Sequence, residues 1–375
     1  MKKENIVKMV LVFSLLFLFI SVQSLLAQNT GYQTRPIKLG TSGGNINDTS
    51  SLYCCTGTLG ALVQDSGIQY ILSNNHVLAR TNLGTQGEYI IQPGLADQNC
   101  VEDATDAVAD LSRFVTISFG STANTVDAAI AQVQPAMVDP LGSILDIGQV
   151  SNQIVSPTVN MPIKKSGRTT GLTRATVAAV NATILVSYNE TCGIGSQVAT
   201  FANQIRIKSP RFSKGGDSGS LIVEDCLPYP RAVALLFAGG SADTFANPIS
   251  NVLSSLGNIS PPSTLSMVGT YEQYCTAPIK GKKGKPSVTA QSQLPPQANQ
   301  RAVEAVSRVK DRHEEAILKL EGVVGIGVGL SETVPEEVVI EIYVKKSAQE
   351  MKHVIPEMLE EVPVKIVETG EIVAF

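Results

Sequence analysis

The sequence predicts a mainly β protein: two antiparallel β-barrels of the six-stranded type in series, then a small C-terminal α/β module. Three observations carry this. From about Ser51 to Leu256 the chain consists of short apolar runs broken by glycine, asparagine and proline, with almost no long helical period. About 200 residues of such runs are too many for one small barrel and suit two. Beyond a proline-, glycine- and lysine-rich stretch the texture changes, to one long amphipathic helix and a few strands.

Residues 1–27 open with lysines and continue as an apolar run from Met9 to Val22, with Ala27 as a small residue before a cut. That pattern predicts a secretory signal peptide, and Gln28 after it offers no cysteine for a lipid anchor. Residues 28–50 form an N-terminal extension, and 51–275 the two-barrel unit. Within that unit GTLGALVQDSGIQYILSNN reads as a hairpin around Asp65–Gly67. EYIIQPG, RFVTISF, DAAIAQV, ATVAAV, ATILVSY, NQIRI, GSLIV and RAVALLFAGG read as further strands. Residues 276–300 have almost no large apolar side chains and read as a flexible linker. In the module at 301–375, residues 301–320 are a helix. EGVVGIGVGL and EEVVIEIYV are strands, SAQEMKHVI a short helix, and VPVKIVETGEIVAF a closing strand pair. GIGVG opens no helix, so it is not a phosphate loop; glycines alternating in a strand let a helix pack close.

Losing residues 1–27 removes three lysines and one glutamate and takes the formal net charge from −4 to −6. A mildly acidic main body without basic runs argues against nucleic acid as a partner, and no membrane anchor remains after cleavage. Export to a periplasm or the extracellular space makes disulfides the simplest reading of six cysteines. The simplest pairing is one bridge within each barrel, Cys55–Cys100 and Cys192–Cys226, with Cys54–Cys275 as a tether. One histidine and no CxxC spacing make a metal site improbable, and no organic cofactor is implied.

Chemistry concentrates at two stretches. SNNHVLAR carries His76, the only histidine before His313 and His353, hence the single ordinary acid–base candidate in the barrels. GGDSGS sets Ser218 between Gly216 and Gly219, where a tight turn would expose a nucleophile and aim the amides of Gly216 and Ser218 at a developing oxyanion. A serine hydroxyl needs a base to take its proton, and the base needs a carboxylate to hold its tautomer. Asp127 opens an apolar strand, where an unpaired charge would be costly; its rivals Asp103, Asp106 and Asp110 lie in a polar stretch. The chain order is then His76, Asp127, Ser218.

With these residues in place, the segment from about Cys54 to Leu256 resembles a chymotrypsin-fold serine peptidase. NNHV is similar to the histidine motif of HtrA-type proteases, and SGRTTG to the start of the second barrel in α-lytic-protease-like enzymes. CCTGTLGALV, SNNHVLA, QPG, GRTTGLT, GGDSGS and LLFAGG…ANPI together resemble the bacterial trypsin-like peptidases related to the plant narrow-leaf protein. The resemblance implies Ser218 as nucleophile, His76 as general base then acid, Asp127 as the orienting carboxylate, and Gly216 with Ser218 as the oxyanion hole. It also implies that Arg168 pairs with Asp217, and that Phe237, Ala238 and Gly239 form the strand that binds substrate. Val77 replaces a common cysteine. Phe212 stands where a basic-specific pocket would carry an aspartate, so a small or apolar residue before the cut is expected. The module resembles one that precedes the peptidase in relatives, and an intramolecular contact with it, as a lid or folding aid, is weighed against a plain accessory or oligomerisation domain. The expected function is that of an exported serine endopeptidase acting on peptides or proteins. The alternatives are a non-catalytic peptide-binding protein on the same fold and an esterase using the same triad.

Overall fold

The computed structural model describes residues 29–260, 262–271 and 300–375; the signal-peptide segment, Cys275 and nearly all of the expected linker lie outside them. The first barrel is built from β1 (Thr41–Asn45), β2 (Gly57–Leu59), β3 (Ala61–Asp65), β4 (Ile68–Ser73), β5 (Tyr89–Ile91), β6 (Ala107–Phe114) and β8 (Ala129–Val133). Their order is β3-β4-β8-β6-β5-β1-β2, and β2 runs into β3 across Gly60, which brings the sheet round on itself. The predicted hairpin is present, with Asp65 opposite Ile68. Ser66 and Gly67 at φ 50° and 84° make a two-residue turn that matches the strand twist. Gly60 breaks the strand where another segment crosses it: a Cβ there would lie 1.9 Å from the carbonyl oxygen of Gly219.

The second barrel comprises β9 (Pro162–Gly167), β10 (Gly171–Tyr188), β11 (Gln197–Lys208), β12 (Leu221–Glu224), β13 (Ala232–Gly239) and β14 (Asp243–Pro248). These six run β10-β9-β12-β13-β14-β11, and pairing of β10 with β11 closes the ring. β7 (Gly120–Asn124), between β6 and β8 in sequence, pairs with β11 in parallel and links the barrels. ATVAAV and ATILVSY, expected as two strands, are one. Asn181 sits between them at φ 47°, and the register with β11 shifts on either side of Ala182. An asparagine tolerates that left-handed backbone, so the strand bends through a bulge instead of ending. A helix at Ile249–Gly257 follows, and the chain returns to the first barrel as β15 (Ser266–Met267) beside β3.

In the module, β16 (Val323–Leu330) and β17 (Val338–Val344) pair antiparallel, and β19 (Val362–Glu368) joins β17 in parallel, edged by β18 (Met358–Leu359). The helix Gln300–Leu318 covers one face through Val303, Val306 and Val309 against Ile326, Val328, Ile340 and Ile342. Two expectations change here. The glycines of GIGVG do not face that helix. Cβ atoms at Gly325, Gly327 and Gly329 would lie 2.7 Å from the Thr183 carbonyl oxygen, 2.2 Å from Tyr343 Oη and 2.6 Å from Glu341 Oε1. They make room on the other face, toward β10. Nor do the last strands pair together: β20 (Val373–Ala374) leaves the module and pairs with β13 and β10. Because β16 also pairs with β10, the second barrel, β7 and the module form one sheet of twelve strands.

Candidate active site

His76 lies in a single helical turn, Asn75–Leu78, at the end of β4. Two asparagines anchor that turn: Asn74 Nδ2 donates to the Asp127 carbonyl oxygen at 2.7 Å and Asn75 Nδ2 to that of Val115 at 2.8 Å. Asp127, fully buried, stands just before β8, hydrogen-bonded neighbour of β4. Its Oδ1 accepts from the amides of Asn75 (2.7 Å) and His76 (3.3 Å), and its Oδ2 contacts His76 Nδ1 at 2.5 Å. Tyr188 at the end of β10 completes the set, its hydroxyl donating to Asp127 Oδ2 at 2.9 Å. A charge sealed from water is held only with such donors. The rivals are engaged elsewhere: Asp103 caps a short turn at Thr105, Asp106 faces Arg35, and Asp110 accepts from Gln134.

Burial works against the charged form of His76, but the Asp127 charge and hydrogen bond outweigh it, with the Phe375 main-chain oxygen adding to them, so the imidazole pKa stands above its usual value. Both ring nitrogens face acceptors, since Nε2 lies 3.1 Å from the Phe375 oxygen. Only the imidazolium satisfies both with N–H donors.

Ser218 lies on the turn between β11 and β12. Gly216 and Gly219 both adopt positive φ, 92° and 90°. A Cβ at Gly219 would fall 2.0 Å from Ser73 Oγ and 2.2 Å from the Thr58 oxygen, so the turn tolerates only glycine there. The Gly216 and Ser218 amides have no acceptor among the described residues, which leaves both N–H groups for a ligand. Ser218 Oγ donates to the Phe237 carbonyl oxygen at 3.2 Å and not to His76. The two halves of the site meet on Phe375: its oxygen contacts the imidazole, and its amide donates to the same Phe237 oxygen at 3.3 Å.

The expected Arg168–Asp217 pair is not formed. Arg168 turns to Asp97, donating from Nε and Nη2 at 2.7 Å each. The buried partner of Asp217 is Lys165, at 3.3 Å with both side chains at 0 % exposure. Strand parity explains the difference: Ile163, Lys165 and Gly167 share the inward face of β9, whereas Arg168 lies past its end. The SGRTTG turn still serves Asp217 through its backbone, with the Thr169 and Thr170 amides donating at 2.9 and 3.1 Å. Phe212 is wholly buried and lies in one apolar cluster with Ile222, Val233 and Leu236, against which Phe375 packs. Phe237, Ala238 and Gly239 lie on β13, with Ala238 and Gly239 opposite Ala374 and Val373.

The disulfides also differ from expectation. Cys54 binds Cys100 and Cys55 binds Cys192. Adjacent cysteines point opposite ways, so one serves the first barrel and the other ties the barrels together beside His76. Cys192 is therefore not the partner of Cys226, which is itself disulfide-bonded. The one grouping of metal-ligand atoms among the described residues is Asp48, Cys55 and Cys192, and two of those sulfurs share a disulfide. Asp48 has a raised pKa, pushed up to about 7 by burial, with the His76 charge opposing. Sequence reasoning missed Tyr188, Lys165, Asp48 and Phe375; only the run of apolar residues around Tyr188 hinted that its hydroxyl would be buried and need a partner.

Solved structures similar to this chain include a glutamic acid-specific serine protease that uses a histidine triad in substrate binding. It is 19 % identical, with 62 % of this chain and 100 % of that one covered, at a TM-score of 0.41. Thermobifida fusca protease A is 19 % identical over 62 % and 99 % of the chains, TM-score 0.38. A Nocardiopsis protease is 17 % identical over 62 % and 98 %, TM-score 0.38. No family model and no curated protein matches the chain.

Proposed function

We propose that the protein is an exported serine endopeptidase of the bacterial trypsin-like kind its motifs resemble, acting through an acyl-enzyme. One observation carries the proposal: a buried, fully donated Asp127 bound to His76 on the first barrel, facing the two free amides beside Ser218 on the second. When the Phe375 oxygen leaves His76, a rotation of Oγ away from Phe237 gives Ser218 access to Nε2. The base takes the hydroxyl proton, Oγ attacks the scissile carbonyl, and the Gly216 and Ser218 amides bind the oxyanion. Imidazolium then protonates the leaving amine, and water repeats the sequence on the acyl-enzyme. Asp127 holds the imidazole in place throughout. Two cross-links among the described residues support an oxidising compartment. The module is a lid, because its last strand lies in the cleft.

A second reading, a non-catalytic peptide-binding protein, is favoured by the absence of a Ser218–His76 hydrogen bond. Labelling with a fluorophosphonate separates them. The peptidase reading expects slow labelling of the full chain, faster labelling of Phe375→Gly, and none of Ser218→Ala or His76→Ala. A folded Phe375→Gly protein that takes no label would exclude the peptidase and the esterase alike. A labelled protein that hydrolyses small esters but no unfolded protein would be the esterase.

A further inference from the structure

Val373–Phe375 does more than fill the cleft. Phe375 donates its amide to the Phe237 oxygen, and Val373 and Ala374 pair antiparallel with Gly239 and Ala238. That is how an extended peptide adds a strand to a sheet edge, where main-chain bonds fix the register and pockets read alternate side chains. The register is fixed at its end by the contact between the Phe375 oxygen and His76 Nε2. Phe375 is thus the residue whose main-chain oxygen lies at His76 and whose amide shares the Phe237 oxygen with the Ser218 hydroxyl.

Its side chain goes where a substrate's would. The ring lies against the backbone of Gly239, where a Cβ would fall 2.1 Å from Cζ and 2.7 Å from Cε2. It packs on the apolar cluster containing Phe212, Val233 and Leu236. One residue earlier, the chain borders an open cavity of about 300 Å³ lined also by His76 and Tyr188. Ala374 packs on the cluster of Tyr188 and Phe237, and Tyr188 stands edge-on to His76 at 5.9 Å. Val373, by contrast, is 38 % exposed.

We propose, resting on the peptidase reading above, that the cleft selects a large aromatic residue immediately before the scissile bond, with Phe375 as the chain's own template. The chemistry of the pocket is a glycine wall and an apolar floor, which rewards ring area and offers an ionised side chain nothing.

The test uses full-length Phe375→Gly/Ser218→Ala protein, in which the ring is gone and turnover is blocked. Peptides of the form acetyl-Val-Ala-X-amide, with X as phenylalanine, tyrosine, alanine, lysine or glutamate, are titrated by fluorescence polarisation against a labelled Val-Ala-Phe probe. Phenylalanine and tyrosine should bind about thirtyfold tighter than alanine, the factor expected for burying most of a ring, with lysine and glutamate no better than alanine. Alanine, lysine or glutamate equal to phenylalanine would overturn the proposal. In the same background Gly239→Ala should erase the aromatic advantage, and its persistence there would count against the assigned wall. Single Phe375→Gly protein keeps the two readings apart. Aromatic-selective binding without fluorophosphonate labelling upholds the pocket and refutes the peptidase. Labelling with turnover that favours a non-aromatic residue refutes the pocket alone.

Discussion

Replacing Lys165 by methionine should damage the protein far more than replacing Arg168. Lys165 and Asp217 are both at 0 % side-chain exposure, so losing the lysine leaves a carboxylate buried without its counter-ion. Breaking a buried pair from one side costs about 3–5 kcal/mol. Asp217 keeps the amides of Thr169, Thr170 and Lys214 and the Thr170 hydroxyl as donors, which places the expected loss near the low end, about 3 kcal/mol. Burial also lowers the lysine's own pKa, opposed by Asp217, so part of the pair's attraction is already spent on desolvation. Arg168 and Asp97 are partly exposed, at 18 % and 14 %; even a two-bond pair of that kind is worth about 1–2 kcal/mol. Urea unfolding of the two variants at pH 7, with unchanged slope, measures both. A loss under about 1 kcal/mol for Lys165→Met, or a larger loss for Arg168→Met, would refute the assignment of Lys165 as the partner that holds the turn carrying Asp217 and Ser218.

Tyr188→Phe removes one donor to a buried charge, a hydrogen bond worth about 1.5–3 kcal/mol; fluorophosphonate labelling should slow about tenfold with the fold intact, and an unchanged rate would mean Asp127 is positioned without it. The labelling rate should rise with pH as His76 loses its proton. The Asp127 charge and hydrogen bond raise that pKa against the burial that lowers it, so the midpoint should lie above the ordinary imidazole value of about 6.5; a midpoint at or below it contradicts the Asp127–His76 contact. Asp48 shows the opposite linkage from a paired carboxylate: its folded pKa, about 7, lies above its ordinary 3.8, so folding favours the protonated acid. The associated stability is complete below the unfolded value and falls as pH rises from about 4 to 7, by about 4 kcal/mol in all. Asp48→Asn should therefore match the parent near pH 4 and exceed it at pH 8 in urea midpoint, and a variant weaker at both would refute the burial argument.

What could be read from the chain, and what could not, divides along physical lines. Short apolar runs bounded by glycine, asparagine and proline name strands, and β4, β8 and β13 follow directly. A histidine alone in the barrels and an aspartate opening an apolar strand are local signals, and His76 and Asp127 do come together. The failures are non-local. Arg168 and Lys165 are equally basic, and only their places tell them apart, Lys165 within β9 on its inward face and Arg168 past its end. Cys54 and Cys55 are interchangeable by spacing; their opposite directions at adjacent positions decide which crosses to Cys192. Asn181 looked like a break between two strands and is a bulge, because an asparagine serves either purpose. The pairing of β10 with β16 has no local signature, since neither edge carries a residue that names its partner.

That pairing bears on how firmly the module is held against the second barrel. Arg206 on β11 is buried, and its counter-ions come from both sides of the linker: Asp243 at 2.5 Å and Glu341, to which Nη2 donates at 2.8 Å and Nε at 3.0 Å. Glu341 also accepts from Lys365 at 3.1 Å. Lifting the module off would strip a buried cation of one of its two carboxylate partners, expose Tyr343, and leave β10 and β16 with unpaired edges. Such an interface does not open freely, so the tail that emerges from β19 stays close to β13. A ligand tethered by a short stretch faces its site at an effective concentration of about 1 mM. A free peptide with the same intrinsic affinity at about 1 μM would then occupy the cleft in about one molecule in a thousand. The occupancy of the cleft by Phe375 therefore needs no tight contact of its own; the sheet supplies it. Weakening the Arg206–Glu341 link, and not only the tail, is accordingly a route by which the site would be uncovered.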